Sequence, residues 1–133
     1  SDAPYSEYQT VDGSARWKSA TADISGRLDF LPHFDTTRDV VAYARCRVIT
    51  PADMTAEMSL GSNDGAVVFV NGIDVYSAPA PSGRKSTSHQ DKFTVRLKHG
   101  PNTILVKVAN FGANWRLYLA VDDPDRQLSI EEW

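Results

Sequence analysis

The chain has 133 residues, 41% of them hydrophobic, with a formal net charge of -3 and one cysteine. This length suits one domain with a sizeable core, the slight negative charge argues against nonspecific nucleic-acid binding, and a single cysteine excludes an internal disulfide. No run of about 18 apolar residues is present, so no membrane span is expected.

The two ends of the chain are more polar than its middle. It opens on Ser1-Asp2-Ala3-Pro4 without an initiator Met or a signal peptide, which indicates a piece of a longer protein. We expect a lead-in arm over residues 1–14, a folded domain over 15–125 and a tail over 126–133. The tail sequence RQLSIEEW is compatible with one short turn of helix.

Short segments with strand-like patterns follow one another along the chain. A first candidate strand surrounds Trp17, and SGRLDFLPHF (25–34) is interrupted by Pro32, which suits an edge strand or a strand end. In VVAYARCRVI (40–49) alternate residues share an apolar face, the pattern of a half-buried antiparallel strand. The other predicted strands are TAEMSL (55–60), AVVFV (66–70), IDVYS (73–77), DKFTVRL (91–97), TILVKVA (103–109) and WRLYLAV (115–121).

About nine short strands with polar turns and no helical period predict an all-β fold, a single jelly-roll-like antiparallel β-sandwich. The stretch APAPSGRKSTSHQ (78–90) is too long for a tight hairpin and is expected to be a surface loop.

Oxygen-bearing side chains cluster in two turns of the segment GSNDGAVVFVNGIDVY. Asn71-Gly72 is the strongest short hairpin signal, because both turn positions need positive φ. Asn63-Asp64-Gly65 is a second turn, whose side chains can accept hydrogen bonds from nearby backbone amides. Turn formation is therefore the preferred interpretation, since the spacing matches no EF-hand calcium loop. A structural calcium ion, at Asp64 or around Asp122–Asp125, stays an open alternative.

The sequence carries no recognisable catalytic or zinc-binding pattern. The histidines His33, His89 and His99 have no zinc-ligand spacing. Ser88-His89-Gln90-Asp91 contains the residue types of a catalytic triad but no nucleophile elbow, and the acids of Asp122–Asp125 sit in an exit turn after the last strand. We therefore predict no catalytic residue, no metal site and no cofactor.

The aromatic and polar residues that remain suit sugar recognition, which needs an aromatic platform and convergent groups for hydroxyls. One candidate surface is a loop rim around NFGANW (110–115), and the other is a basic sheet face. Trp115 shares its parity with Leu117, so a place in the core is an alternative for its ring. The residues predicted to bind carbohydrate are Trp17, Arg84, Asn110, Asn114, Trp115, Arg116 and Tyr118.

The basic face would favour an acidic polysaccharide, if the strands that build it are neighbours. Its members are Tyr43, Arg45, Arg47, Lys107, Arg116 and Tyr118. The alternative is that these side chains form only the solvated side of a sheet.

Two segments also carry a family resemblance. LGSNDGAVVFVNGIDVY (60–76) and DKFTVRLKHGPNTILVKVANFGANWRLYLAVDD (91–123) resemble the galactose-binding-like β-sandwich domains appended to bacterial secreted glycoside hydrolases and polysaccharide lyases. The shared pattern is an acidic Gly turn, an apolar strand, Asn-Gly, then Leu-Lys-x-Gly-x-Asn and Leu-Val-Lys-Val. A weaker likeness is to the lectin-like domain named for the protective antigen of anthrax toxin. There, paired Asp residues bind calcium and sugar, whereas this chain has Asn63.

The resemblance implies a noncatalytic carbohydrate-binding module of a larger bacterial secreted carbohydrate-active protein, located outside the cell or in the periplasm. Its partners would be a carbohydrate polymer and an attached catalytic domain, with no nucleic acid and no membrane. The alternative is a structural module that packs on a catalytic domain and binds no sugar.

Overall fold

The computed structural model describes residues 7–9, 27–34 and 38–131, which form ten β-strands in two antiparallel sheets. The all-β sandwich predicted from the sequence is therefore confirmed. The candidate strand around Trp17 lies outside the described residues. The strands are β1 (Glu7–Gln9), β2 (Arg27–Asp29), β3 (Val40–Thr50), β4 (Met54–Ser62), β5 (Ala66–Val70), β6 (Ile73–Ala78), β7 (Asp91–Leu97), β8 (Gly100–Asn110), β9 (Arg116–Val121) and β10 (Ser129–Glu131).

The larger sheet has the strand order β1-β3-β8-β5-β6, with β10 also paired to β3. Strands β1 and β10 occupy successive stretches of one edge of β3, opposite residues 43–45 and 47–49. The helical turn considered for the tail is wrong over Ser129–Glu131, which forms a strand. Ile130 pairs with Val48 and packs against the core, so tertiary pairing decides the local structure.

The smaller sheet has the order β2-β9-β4-β7. Strand β2 is shorter than the predicted segment, because the chain turns into a 3-10 helix at Leu31–His33, which contains Pro32. Proline fixes φ and lacks an N–H, so it ends the ladder at this point.

The core lies between the two sheets and follows the alternation of the strands. In β3 the residues Ala42, Ala44, Cys46 and Val48 are buried, as the alternating pattern predicts. Each fully buried Val, Leu or Ile side chain stabilises the fold by about 1.5–3 kcal/mol. Among the described residues, the largest fully buried side chain is Trp115.

The predicted hairpin at Asn71-Gly72 is confirmed, with φ values of 53° and 81°. The Asn71 side chain also connects this turn to β8, the neighbouring strand in the sheet. Its Oδ1 accepts a 3.0 Å hydrogen bond from the N–H of Thr103, and its Nδ2 donates to Asn102 Oδ1 at 3.0 Å.

Candidate functional site

In the second predicted turn, the side chains of Asn63 and Asp64 are buried and form several hydrogen bonds. Asp64 Oδ2 accepts a 2.7 Å bond from the N–H of Phe111, and Oδ1 accepts a 3.2 Å bond from the N–H of Arg84. Asn63 Nδ2 donates to the Arg84 carbonyl at 2.8 Å, while Ser86 Oγ donates to Asn63 Oδ1 at 2.6 Å. The bonds from Asn63 and Asp64 to Arg84 and Ser86 therefore attach the long 79–90 loop to the sandwich.

Arg84 completes this attachment with its guanidinium group. Nε donates to the Ser62 carbonyl at 3.0 Å, and Nη2 contacts both Ser62 Oγ at 2.9 Å and Asp91 Oδ2 at 2.8 Å. Most of the guanidinium donors are thus committed inside the protein. We assign Arg84 to the support of the loop rather than to direct sugar contact.

The 79–90 loop also covers part of the outer face of the smaller sheet. A Cβ atom on Gly61 would overlap the carbonyl oxygen of Thr87, so only glycine allows the loop backbone to pass this closely. Gln90 secures the loop end, because its Oε1 accepts a 3.2 Å bond from the N–H of Ser62 and its Nε2 donates to the Lys85 carbonyl at 2.9 Å.

Beside this crossing, an open groove of about 760 Å³ lies over the outer face of the smaller sheet. We call it the sheet groove. Its residues come from β4, β7 and β9, from the end of the 79–90 loop, and from the segment between β9 and β10. They are Glu57, Met58, Ser59, His89, Lys92, Ala120, Val121, Asp122, Asp123, Arg126 and Leu128.

Strand register explains which side chains form the groove floor. Ser59 is paired with Lys92 of β7 on one side and with Ala120 of β9 on the other. The small side chains of Ser59 and Ala120 leave room above the sheet. Asp123 shapes one wall, because its Oδ1 and Oδ2 accept backbone bonds of 2.8 and 3.0 Å from Gln127 and Leu128.

The groove offers both hydrogen-bond acceptors and donors to a ligand. Glu57 and Asp122 supply carboxylates, and Lys92 and Arg126 supply cationic donors. Within the described part of the chain none of these four side chains forms an ion pair. The volume falls within the range of small-molecule sites, about 300–1,000 Å³. Its size and its mixture of donors and acceptors suit a small polar ligand.

The structure does not bring together the residues predicted from the sequence to bind carbohydrate. Trp115 is 1% exposed and packs against Phe30 and Phe34, with ring centroids 5.0 and 5.3 Å away. A ring so enclosed presents no face to a sugar, so we correct its assignment to the core. Asn110 is also fully buried, and its Oδ1 accepts a 3.2 Å bond from the N–H of Gly112.

The other predicted binding residues lie on two surfaces. Asn114 is exposed on the rim. Arg116 and Tyr118 are half-buried on β9, on the same outer face as Ala120, and Arg116 Nε lies 3.9 Å from Asp29 Oδ2. Trp17 lies outside the described residues.

Among the described residues, the rim retains one accessible aromatic ring. Phe111, in the predicted loop, is 44% exposed. It replaces Trp115 as the aromatic group that the rim can offer to a ligand.

The predicted basic face divides between the two sheets. Tyr43 and Lys107 are cross-strand partners in the larger sheet, whereas Arg116 and Tyr118 belong to the smaller one. In addition, β1 places Glu7 opposite Arg45, and β10 places Glu131 opposite Arg47. The predicted residues therefore do not form one continuous basic face.

Sequence reasoning missed the sheet groove as a unit. In the sequence, His89 belongs to the predicted surface loop, whereas Asp122 and Asp123 belong to a turn after the last predicted strand. Glu57 and Lys92 carried only the signal of polar positions in alternating strands. Their assembly depends on strand register and on the path of the tail.

The described residues also allow statements on metal ligands, on the Cys46 thiol and on membrane-spanning helices. Among the described residues, no group of three or more His, Cys, Asp or Glu side chains is placed to hold a metal ion. Burial raises the pKa of the Cys46 thiol to about 12, which suppresses the reactive thiolate. In the same part of the chain, no helix has the length and hydrophobicity needed to cross a membrane.

No protein-family model and no curated protein sequence matches the chain. Its fold, however, resembles several solved structures. An anti-sigma factor domain-containing protein superposes with a TM-score of 0.66 at 13% identity, over 98% of this chain and 46% of that one. A family 35 carbohydrate-binding module from an environmental isolate has a TM-score of 0.54 at 18% identity, over 100% of this chain and 95% of that one.

A β-glucosidase from Kluyveromyces marxianus contains a similar sandwich, with a TM-score of 0.58 at 10% identity over 90% of this chain. This chain spans only 16% of that enzyme, and less than half of the anti-sigma factor protein. The β-sandwich is thus of a kind found in carbohydrate-binding modules and in accessory domains of glycoside hydrolases.

Proposed function

We propose that this protein is a noncatalytic carbohydrate-binding module that holds a polysaccharide in the sheet groove. The observation that carries the proposal is the environment of the Ser59 hydroxyl. This residue is 6% exposed and lines the groove, and within the described residues its hydroxyl has no hydrogen-bond partner. A hydroxyl at the floor of an open groove is suited to a ligand hydroxyl, since it can both donate and accept a hydrogen bond.

The surrounding side chains complement a sugar. Carboxylates accept hydrogen bonds from hydroxyl groups, and the ammonium of Lys92 and the guanidinium of Arg126 donate them. Among the described residues, no Phe, Tyr or Trp ring lines the groove. Binding therefore rests on hydrogen bonds more than on stacking, and the rim with Phe111 is the second candidate surface.

The fold comparisons support this function at the level of the module. The similar sandwich in the family 35 carbohydrate-binding module accounts for almost all of that chain, and the similar one in the β-glucosidase is a small part of a larger enzyme. By analogy, we propose a secreted bacterial parent protein in which this domain concentrates an attached enzyme on its polymer.

The alternative is a structural module that binds no sugar and packs on a catalytic domain. Such a module would be expected to expose a contiguous apolar patch. In the described residues the exposed large hydrophobic side chains are Ile73 and Phe111, which lie toward opposite ends of the sandwich. This separation favours the carbohydrate-binding function.

The test is isothermal titration calorimetry against a panel of neutral, uronic-acid and amino-sugar oligosaccharides. We expect the parent protein to bind at least one class and Ser59→Leu, which fills the groove floor, to lose that binding. Thr55→Leu is the matched control, because Thr55 is exposed on the same face of β4 but does not line the groove. Absence of binding across the panel would favour the structural module.

A further inference from the structure

We infer that the sheet groove selects a sugar that carries a free amino group, with the ammonium held between Glu57 and Asp122. This inference rests on the proposed function and names the ligand class for the same site. It arises from the placement of two carboxylates beside the Ser59 hydroxyl.

The two acids are neighbours across adjacent strands. The N–H of Asp122 donates a 2.8 Å bond to the Glu57 carbonyl, directly beyond the Met58–Val121 pair. Met58 and Val121 are buried in the core, whereas Glu57 on β4 and Asp122, the first residue after β9, are exposed and line the sheet groove. Side chains opposite each other in an antiparallel pair have Cβ atoms about 5 Å apart.

Like charges placed directly opposite each other destabilise a sheet. Here both carboxylates are exposed, and neither forms an ion pair within the described part of the chain. Lys92 of β7 and Arg126 of the segment after β9 also line the groove. A ligand cation between the two acids would remove the repulsion.

An ammonium fits this position better than a metal ion. It has three N–H donors, and the site offers two carboxylates and the hydroxyl of Ser59 as acceptors. Calcium takes six to eight oxygen ligands, whereas the third nearby acid, Asp123, is occupied by the Gln127 and Leu128 amides. The remaining donors, on Lys92 and Arg126, are available for hydroxyl groups elsewhere on the sugar.

The experiment compares glucosamine oligosaccharides with N-acetylglucosamine oligosaccharides of the same length, by calorimetry at low salt and mildly acidic pH. Acetylation removes the charge and leaves the ring. We expect the amino form to bind about tenfold more tightly or better, the effect of one charge-assisted contact. The double variant Glu57→Gln/Asp122→Asn should bring the two affinities together.

Asp125→Asn and Asp74→Asn are the charge controls, since both residues are exposed and neither lines the groove. They should retain the preference for the amino form, which separates a site from general attraction to an acidic protein. Lys92→Gln should keep or strengthen that preference.

Each result has a definite meaning. Equal binding of the two oligosaccharides, or a preference that survives Glu57→Gln/Asp122→Asn, would overturn the amino-sugar inference. If neutral oligosaccharides still bound and Ser59→Leu abolished it, the proposed function would stand. Failure of every oligosaccharide to bind would overturn both.

Discussion

The carboxylate of Asp64 is bonded to the backbone of Phe111, with 2.7 Å between Asp64 Oδ2 and the Phe111 nitrogen. Through its other oxygen the same side chain holds the N–H of Arg84. One buried acid therefore joins the rim loop after β8 to the 79–90 loop, which contributes His89 to the sheet groove.

Replacing Asp64 by Ala should lower the free energy of unfolding by about 2–4 kcal/mol, because two hydrogen bonds to a charged group are lost. Urea unfolding measures this change. Asp74→Ala is the control, since Asp74 is exposed on β6. Chelation by EDTA should leave the melting temperature unchanged. Equal stability of the two variants, or a large fall with EDTA, would contradict the structural role.

Two glycines should respond differently to alanine. A side chain on Gly61 would overlap the Thr87 carbonyl, so Gly61→Ala must displace the loop that carries His89 into the groove. We expect a loss of about 1–3 kcal/mol in stability, typical of overpacking, together with weaker oligosaccharide binding.

Gly72→Ala is the control for Gly61→Ala. A Cβ there meets no atom within 4 Å, and its φ is +81°. Gly72→Ala should cost about 1 kcal/mol through its left-handed backbone and leave binding unchanged. Thermal melts and calorimetry on both variants check this. A Gly61→Ala protein with normal binding would show that the loop does not control the groove.

Trp115 should act on stability and not on binding. Trp115→Ala should cost about 3–5 kcal/mol, as for other large core residues. Trp115→Phe should cost less, because the indole Nε1 has no acceptor among the described residues and a phenyl ring can still contact Phe30 and Phe34. A Trp115→Phe protein that melts normally but no longer binds sugar would make this ring the platform after all.

Cys46 should make the protein less stable at alkaline pH. Its folded pKa of about 12 lies above the 9.0 of an unburied thiol, so above pH 9.0 the unfolded state loses the proton and the folded state keeps it. The stabilising contribution is complete below pH 9.0 and is lost as the pH rises toward about 12.

At one pH unit above the pKa of the unfolded thiol, the free energy of unfolding should be lower by about 1.4 kcal/mol. Urea unfolding at successive pH values should show this additional fall in the parent and not in Cys46→Ala. Parallel pH curves for the two proteins would contradict the buried, protonated thiol.

The sequence predicts the sandwich well because its signals are local. Alternation in β3 marks the buried residues directly, and Asn71-Gly72 has few other uses than a hairpin. The parity of Trp115 with Leu117 also agrees with its burial.

The groove could not be predicted in the same way. Its floor depends on the pairing of Ser59 with both Lys92 and Ala120, and its walls depend on how the 79–90 loop and the segment after β9 cross the sheet. Long-range register of this kind leaves no mark in any single segment. The predicted basic face failed for the same reason, since β8 and β9 follow each other in the chain but lie in different sheets.

The most direct test of the central claim is a map of backbone amide chemical shifts by NMR during titration with the oligosaccharide that calorimetry finds to bind. Binding in the sheet groove predicts shifts that concentrate at Glu57, Ser59, Lys92, Ala120 and Asp122 and are absent in Ser59→Leu. Shifts confined to the rim around Phe111 and Asn114, or no shifts with any oligosaccharide of the panel, would contradict it.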